Sequence, residues 1–174
     1  MTILKIPVTK DDHIQGNNED LVTLVEYGDY ECPFCRRAHS IIKAVQKHFG
    51  KNLRFVFRNF PLAEMHPHAE MAAEAAEFGA TENLFWPMHD LIYDNQENLG
   101  LPLLLELGLA LKLPVQDLEL AIVNRVFEPK IQSDFMGGVR SGVNGTPTFF
   151  INGQRFNGPH EFDTIVLAID SIIT

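Results

Sequence analysis

The stretch LVTLVEYGDYECPFC, residues 21–35, decides how the rest of the chain is interpreted. Its first seven residues are apolar and β-branched, which is typical of a buried strand, and Gly28 ends that strand. The run from Pro33 to Phe49 carries apolar side chains at helical spacing, which predicts an amphipathic helix. Cys32 and Cys35 therefore lie where a strand turns into a helix.

The helix N-terminus is the feature that gives this dithiol its expected chemistry. It carries about half a positive charge and unpaired N–H groups, and both favour a thiolate over a thiol. We therefore expect Cys32, near the cap, to be an exposed nucleophile with a lowered pKa. Pro33 fits the first turn, where its missing N–H is not needed. Cys35 is expected to be the more buried resolving thiol, which closes the intramolecular disulfide and releases the partner.

Three acidic residues lie close to the dithiol in the sequence. Glu26 belongs to the predicted buried strand, where a carboxylate must be paired or must hold its proton with a raised pKa. It is a candidate proton acceptor for Cys35, and a position on an edge strand in contact with water is the alternative. Asp29 and Glu31 lie in the following turn and are expected to be solvated.

Five basic side chains are the other candidates near the dithiol. Arg36 and Arg37 either add to the stabilisation of the thiolate or point into solvent. His39 lies on the helical face of the resolving thiol and is either its neighbour or an ordinary surface group. His66 and His68 precede a predicted helix and are expected to form local hydrogen bonds.

The remainder of the chain predicts another strand, a helical block, a hairpin and a final helix. LRFVFRNF, residues 53–60, alternates like a strand, and TFFI, residues 148–151, is a short apolar strand. Asn152-Gly153 is a strong hairpin signal, with Gln154–Phe156 as the return strand. Helices are expected over Ala69–Phe78, Leu84–Tyr93, Pro102–Leu111, Val115–Val126, Lys130–Arg140 and Phe162–Ile173, with Glu128-Pro129 as an interruption.

The order of these elements predicts the fold class. A strand–helix–strand unit implies a parallel pair with a crossover helix, and the hairpin adds antiparallel strands to the same sheet. The fold class is thus α/β: a thioredoxin-like mixed sheet flanked by helices, in a single domain over residues 1–174. A helical insertion over residues 65–142 lies between the βαβ unit and the C-terminal β-hairpin.

Composition narrows the possible functions. The 174 residues carry a formal net charge of −9, which argues against nucleic acid and anionic membrane surfaces as partners. No stretch approaches the ~18 apolar residues of a membrane span and no secretory signal is visible, so we expect no membrane insertion and a cytoplasmic location. No nucleotide or flavin motif is present, so no cofactor is expected and electrons would come from another protein or from glutathione.

The chain has only 2 cysteines, and they close a loop too small to constrain the unfolded chain much. With His39 and either His66 or His68 they would provide four metal ligands, so a metal or iron–sulfur carrier is one alternative. A structural zinc site usually has a second ligand pair spaced like the first, and no second cysteine pair exists. A redox role is therefore favoured, and no metal is expected.

Three segments together resemble a known family: VTLVEYGDYECPFC (residues 22–35), FRNFPLAEMHPHA (residues 57–69) and GTPTFFING (residues 145–153). They resemble the DsbA-like branch of the thioredoxin superfamily, over nearly the whole chain. In detail they are most similar to cytoplasmic thioredoxin-like domains, including those fused to some bacterial sodium/proton antiporters.

This resemblance implies roles for individual residues. Cys32 would be the nucleophile and Cys35 the resolving cysteine, and Glu26 falls where the family has its buried acid. Pro147 would be the cis-proline that faces the dithiol. Thr146 would offer backbone groups to a bound substrate strand, by β-strand addition.

The pair between the cysteines, Pro33 and Phe34, completes the expected substrate-facing surface and departs from the family pattern. Periplasmic oxidases of the DsbA type usually have Pro-His there. Phe34 gives the thiolate neither a hydrogen bond nor a charge, which predicts a less oxidising disulfide.

The expected function is therefore a thiol–disulfide oxidoreductase that forms mixed disulfides with protein or small-molecule substrates. A thiol reductant such as glutathione or a thioredoxin-type system would be its redox partner. The alternative is a redox-responsive binding or regulatory module for a partner protein.

Overall fold

A five-stranded mixed sheet forms the centre of the fold. The longest helix begins just after the carboxyl end of the central strand, and this junction positions the dithiol. The computed structural model describes residues 2–16 and 22–173. The strands are β1 (His13–Gln15), β2 (Val22–Gly28), β3 (Leu53–Asn59), β4 (Thr148–Ile151) and β5 (Gln154–Phe156). The helices are α1 (Pro33–Phe49), α2 (Ala69–Thr81), α3 (Phe85–Asp94), α4 (Leu101–Ala110), α5 (Val115–Val123), α6 (Glu128–Arg140) and α7 (Phe162–Ile173).

The sheet has the order β1–β3–β2–β4–β5, with β2 at its centre. Strands β2 and β3 are parallel and are joined through α1, whereas β4 pairs antiparallel with β2 and with β5. The predicted α/β mixed sheet is confirmed. Glu26 pairs with Phe57 on one side and Phe149 on the other, so the alternative of an edge position is wrong.

Helix α1 follows the sequence pattern closely. Its buried residues recur every three or four positions, so one stripe packs on the sheet while the other faces solvent. Pro33 occupies the first turn, and Gly50 ends the helix with a φ of 53°. The buried residues of this stripe are Cys35, Ala38, His39, Ile42, Val45 and Phe49.

The C-terminal hairpin forms where the Asn-Gly pair predicts it. Asn152 and Gly153 have φ values of 46° and 79°, the combination that a two-residue turn of type I′ requires. The side chain of Asn152 also accepts a hydrogen bond of 2.8 Å from the N–H of Thr23, which ties the turn to β2.

Five helices, α2 to α6, lie between β3 and β4 in the chain. One predicted boundary in this block is wrong: Glu128 and Pro129 do not interrupt it but form the first turn of α6. Proline is accepted there because the first helical N–H groups have no partner within the helix. Over the described residues, no helix is long and apolar enough to cross a membrane.

Candidate active site

The dithiol lies at the start of α1, next to the loop that precedes β4. Cys32 is the N-cap residue, and Cys35 is the third residue of the helix. The N–H of Cys32 donates to the carbonyl oxygen of Asp29 at 3.2 Å, and Arg36 donates to the carbonyl oxygen of Cys32 at 3.1 Å. The N–H of Asp29 donates to the Cys35 sulfur at 3.5 Å. Asp29 therefore ties the turn to both cysteines.

Both cysteines are buried, and this corrects one expectation. Cys32 is only 3% exposed and Cys35 is 0% exposed, so Cys32 is not the exposed nucleophile that its cap position predicted. The cause is the loop before β4. The Cys32 thiol donates to the carbonyl oxygen of Thr146 at 3.4 Å, and the Thr146–Pro147 peptide bond is cis. This loop thus lies directly against the sulfur.

A glutamine of the helical insertion also reaches the dithiol turn. The side-chain nitrogen of Gln96 donates to the carbonyl oxygens of Tyr30, at 2.8 Å, and of Cys32, at 2.9 Å. Sequence reasoning missed this residue because 64 positions separate it from Cys32 and no motif marks it.

The two thiols differ sharply in acidity. A hydrogen bond from the Cys35 thiol lowers the pKa of Cys32 to about 5, against the effect of burial. The Thr146 hydroxyl and the N–H groups of Cys35 and Phe34 act in the same direction. Burial raises the pKa of Cys35 well above the usual 9.0, and its hydrogen bond to Cys32 adds to the effect. At neutral pH the pair is a Cys32 thiolate beside a Cys35 thiol.

Glu26 lies beneath this pair in the central strand. It is 2% exposed, and its Oε1 has no hydrogen-bond partner among the described residues. Burial, together with the negative charge of the Cys32 thiolate, raises the pKa of Glu26 to about 8. The negative charge of Glu26 in turn raises the pKa of Cys35.

Asp29 is buried rather than solvated, which corrects a second expectation. One carboxylate oxygen accepts from the N–H of Glu31 at 2.8 Å, and the other accepts from the N–H of Leu62 at 2.8 Å. Nδ1 of His66 lies 2.8 Å from the same second oxygen. Burial opposes ionisation of His66, but the hydrogen bond to Asp29 and the charge of Asp29 outweigh it and raise the pKa of His66 above 6.5.

The second histidine of this segment forms a parallel pair. Nδ1 of His68 lies 2.8 Å from Glu31, and the N–H of His68 donates to the other oxygen of the same carboxylate. The backbone of His66 forms the expected local hydrogen bonds, but the side-chain partners of His66 and His68 each lie 37 positions away. The two histidines join the loop after β3 to the turn that carries the dithiol.

The side chains just beyond the cysteines point away from the thiolate or into the core. Arg36 pairs with Glu97 at 2.7 Å and Arg37 with Glu161 at 2.5 Å, both near the surface. His39 is buried and stacks on Tyr93, with ring centroids 5.0 Å apart, so it is not a surface group.

Phe34 is the part of the dithiol motif that faces solvent. Phe34 is 69% exposed, which places it with Leu109 and Leu167 among the most exposed large apolar residues of the described chain. A cavity of about 190 Å³ beside it is lined by Arg37, Ala38, His160 and Glu161. An exposed aromatic ring next to a cavity and a reactive sulfur offers contact area to a substrate.

Among the residues that the structure describes, the group that could hold a metal ion does not include the cysteines. Within residues 2–16 and 22–173, the side chains close enough to share an ion are His39, His89 and Asp90. His66, which the sequence offered as a possible fourth ligand beside the dithiol, is held by Asp29 instead. The arrangement at the dithiol is suited to thiol exchange.

Comparison with known proteins agrees with this geometry. The family model described as "Thioredoxin" matches residues 8–171. The chain belongs to the thioredoxin family. Among curated relatives of this thioredoxin-family chain are Na(+)/H(+) antiporter NhaA 1 of Salinispora arenicola, 39% identical, and Na(+)/H(+) antiporter NhaA of Herminiimonas arsenicoxydans, 35% identical. Each alignment covers 97% of this chain, but only 26% and 27% of the relative, so the chain spans about a quarter of their length.

Solved structures that share the fold of this thioredoxin-family chain include proteins of the DsbA type. BdbD from Bacillus subtilis superposes with a TM-score of 0.89 at 24% identity, and covers 99% of this chain and 98% of its own. DsbA2 of Pseudomonas aeruginosa gives a TM-score of 0.74 at 22% identity, with 97% of both chains covered. The predicted resemblance to the DsbA-like branch and to antiporter-associated domains is confirmed.

Proposed function

We propose that the chain is a thiol–disulfide oxidoreductase that works through the Cys32–Cys35 couple. One observation carries the proposal: a Cys32 sulfur at the N-cap of α1, against the Thr146 carbonyl, with a second thiol buried behind it. The helix N-terminus stabilises the thiolate at Cys32, and the burial of Cys35 keeps that sulfur protonated. An ionised attacking thiol beside a protonated resolving thiol is the pairing that disulfide exchange needs.

In the reducing direction, the reaction has two steps. The Cys32 thiolate attacks a substrate disulfide, forms a mixed disulfide with one substrate sulfur and releases the other as a thiolate. Cys35 then loses its proton and attacks the Cys32 sulfur, which forms the Cys32–Cys35 disulfide and releases the second substrate sulfur as a thiolate. The substrate disulfide gains two electrons, and the protein dithiol loses two. The oxidising direction is the reverse.

Glu26 is the proposed acceptor of the Cys35 proton. Its pKa of about 8 is raised in part by the Cys32 thiolate. Once Cys32 is in the mixed disulfide, that charge is gone and Glu26 ionises more readily, at the step where Cys35 must lose its proton. The coupling between Cys32 and Glu26 therefore favours transfer of the Cys35 proton to Glu26 after the mixed disulfide has formed rather than before.

The proposed substrate surface consists of the Thr146–Pro147 loop together with Pro33 and Phe34. Backbone groups of Thr146 would pair with an extended substrate segment, and this recognition is indifferent to the substrate's side chains. The exposed ring of Phe34 adds apolar contact. Protein disulfides fit such a surface, and a thiol such as glutathione or a thioredoxin-type protein is the proposed redox partner.

Reduction of a protein disulfide such as that of insulin tests the proposal. Replacing the nucleophile in Cys32→Ser should abolish turnover, whereas Cys35→Ser should retain attack and accumulate mixed disulfides that a non-reducing gel detects. Full activity in Cys32→Ser would sink the proposal. Mixed disulfides at Cys35 in Cys32→Ser would reverse the assigned roles.

A second candidate function is a redox-responsive regulatory module. The observation that favours it is the set of relatives named as antiporters, whose length is about four times that of the aligned region. In this case the oxidation state of Cys32 and Cys35 would change the affinity for a partner protein. Binding to such a partner that is equal for the oxidised and reduced chains would exclude it. A cytoplasmic location belongs to both candidates and stays a prediction.

A further inference from the structure

A second cluster of titratable side chains lies between α1 and α3, two helical turns along α1 from Cys32. A ring nitrogen of His39, a ring nitrogen of His89 and a carboxylate oxygen of Asp90 all lie within 4.8 Å of one another. His39 comes from α1, and the other two come from α3 of the helical insertion. Both histidines are buried, at 9% and 2% exposure.

Contacts among the three side chains do not provide the Asp90 carboxylate with the hydrogen bonds that it needs. Nε2 of His39 and Oδ1 of Asp90 are 3.6 Å apart, which is too long for a hydrogen bond. Oδ1 of Asp90 is buried and has no hydrogen-bond partner among the described residues. A buried carboxylate oxygen without a donor is costly, and a bound cation would satisfy it.

Outer contacts hold two of the three groups, His89 and Asp90, in orientations that suit a metal ion. The Tyr30 hydroxyl lies 2.9 Å from Nδ1 of His89, which leaves Nε2 of that ring for a ligand. The ammonium group of Lys43 pairs with Oδ2 of Asp90, which leaves Oδ1 facing the histidines. Hydrogen bonds of this kind to the unused atom of a ligand are typical of metal sites.

The cluster also borders a cavity with the space of about one small ion. His39, His89 and Asp90 line a cavity of about 10 Å³, which is close to the space of one water molecule. Two imidazoles and one carboxylate, with a fourth position open to water, match the donor set that Zn²⁺ accepts.

We propose that His39, His89 and Asp90 form a binding site for a divalent transition-metal ion of the Zn²⁺ type. The ion would join α1, which carries the dithiol at its start, to α3 of the helical insertion. Bonds of ~2.0–2.1 Å require only small rotations of the three side chains, since their donor atoms already lie together. The proposed ligands include neither cysteine, although Glu26 lines the same cavity.

Titration with Co²⁺ tests this site, because Co²⁺ reports its ligands through its absorption spectrum. The Cys32→Ser/Cys35→Ser chain is used so that no thiolate can bind the ion. The expected result is one equivalent of Co²⁺ bound with the visible spectrum of nitrogen and oxygen ligands, displaced by Zn²⁺. The midpoint of thermal unfolding should rise with the Zn²⁺ concentration, because the ion binds the folded state.

Asp90→Asn and His39→Gln are the test variants, and each should lose the Co²⁺ spectrum and the Zn²⁺-dependent rise in the unfolding midpoint. Asp94→Asn, one turn further along α3, and His48→Gln, at the exposed end of α1, are the matched controls and should retain both. Asp90 is partly exposed, so its variant is expected to fold even if a histidine variant does not. Absence of binding in the parent chain, or full binding in Asp90→Asn, would overturn the proposal.

Discussion

Cys32 and Cys35 lie three residues apart, yet their surroundings shift the pKa values of the two thiols in opposite directions. The Cys35 thiol, the Thr146 side chain and backbone N–H groups lower the pKa of Cys32, whereas burial and the charge of Glu26 raise the pKa of Cys35. The buried Thr146 hydroxyl has no hydrogen-bond partner among the described residues, which leaves its O–H available to the Cys32 thiolate. The low pKa of Cys32 is thus a property of neighbouring residues.

We predict that Cys32 titrates with a pKa of about 5 and that Thr146→Val raises this value. Removing one hydrogen bond to a charged group costs about 1.5 kcal/mol, which corresponds to about one pKa unit. Thiolate absorbance in the ultraviolet against pH measures both values. Thr164→Val, in α7, is the control and should titrate like the parent chain. An equal pKa in Thr146→Val and the parent would show that this hydroxyl does not reach the sulfur.

A second prediction concerns the pair of His66 and Asp29. The pKa of His66 is raised in the folded state, so its contribution to stability is complete below pH 6.5 and is lost as the pH rises through the raised value. His66→Gln should therefore destabilise the fold by about 1–2 kcal/mol at pH 6 and by less at pH 9. Denaturant unfolding at the two pH values measures the difference.

The matched control is His68→Gln, which removes the neighbouring histidine from its pair with Glu31. The His68 side chain is 40% exposed and that of His66 is 18% exposed, so the control should cost less. A loss in His66→Gln that is the same at both pH values would contradict an ionic contribution from His66.

At the scale of the secondary-structure elements, β2 is unusual because a central strand carries an acid. In the folded chain Glu26 has a pKa of about 8 and keeps its proton up to about that pH, whereas in the unfolded chain its pKa is near 4.5. Below pH 4.5 both states are protonated, and stability is unaffected. Between these two values only the unfolded state is ionised, so stability falls as the pH rises, and above 8 the penalty is constant.

Glu26→Gln should therefore stabilise the fold, by an amount that grows between pH 4.5 and 8 and reaches at most roughly 4–5 kcal/mol. The same variant should slow the resolution of mixed disulfides by Cys35, which stopped-flow kinetics measures. Glu106→Gln, on the exposed face of α4, is the control and should change stability by less than about 0.5 kcal/mol. A Glu26→Gln chain with parental stability at pH 8 would show that water reaches the carboxylate.

The elements themselves were predictable because their signals are local. The apolar periodicity of α1, the alternation of β3 and the Asn152-Gly153 turn each lie within a window of a few residues, and the structure has all three in place. The boundary at Glu128-Pro129 was not predictable, because a proline can either interrupt a helix or occupy its first turn. Which of the two it does depends on the packing of α6 against the rest of the chain.

The site was predictable only in part, for a related reason. The motif identifies Cys32 and Cys35, but the partners of His66, Gln96 and His39 lie 37 to 66 positions away. A sequence pattern does not show which loop folds over which turn, so the burial of Cys32 and of Asp29 appears only in three dimensions. Neither residue's type nor its spacing indicates that burial.

At the scale of the whole molecule, the question is the direction in which electrons flow. Phe34 was expected to make the disulfide less oxidising, yet the remaining donors still lower the pKa of Cys32 to about 5. That value lies between those of thioredoxin, ~7, and DsbA, ~3.5. A more stable thiolate makes the disulfide more oxidising, so the reduction potential of this couple should also lie between theirs.

We therefore predict a reduction potential of roughly −200 mV, between about −270 mV for thioredoxin and about −120 mV for DsbA. Titration against glutathione with thiol trapping measures it. Phe34→His restores a donor beside the thiolate and should shift the potential to a more positive value, whereas Phe34→Leu should leave it nearly unchanged. A potential near that of DsbA would mean an oxidant or isomerase and would argue against the predicted cytoplasmic location. A potential at or below the cytosolic glutathione poise, about −220 to −260 mV, would mean a dithiol that is kept reduced there and acts as a reductase or a sensor of oxidative stress.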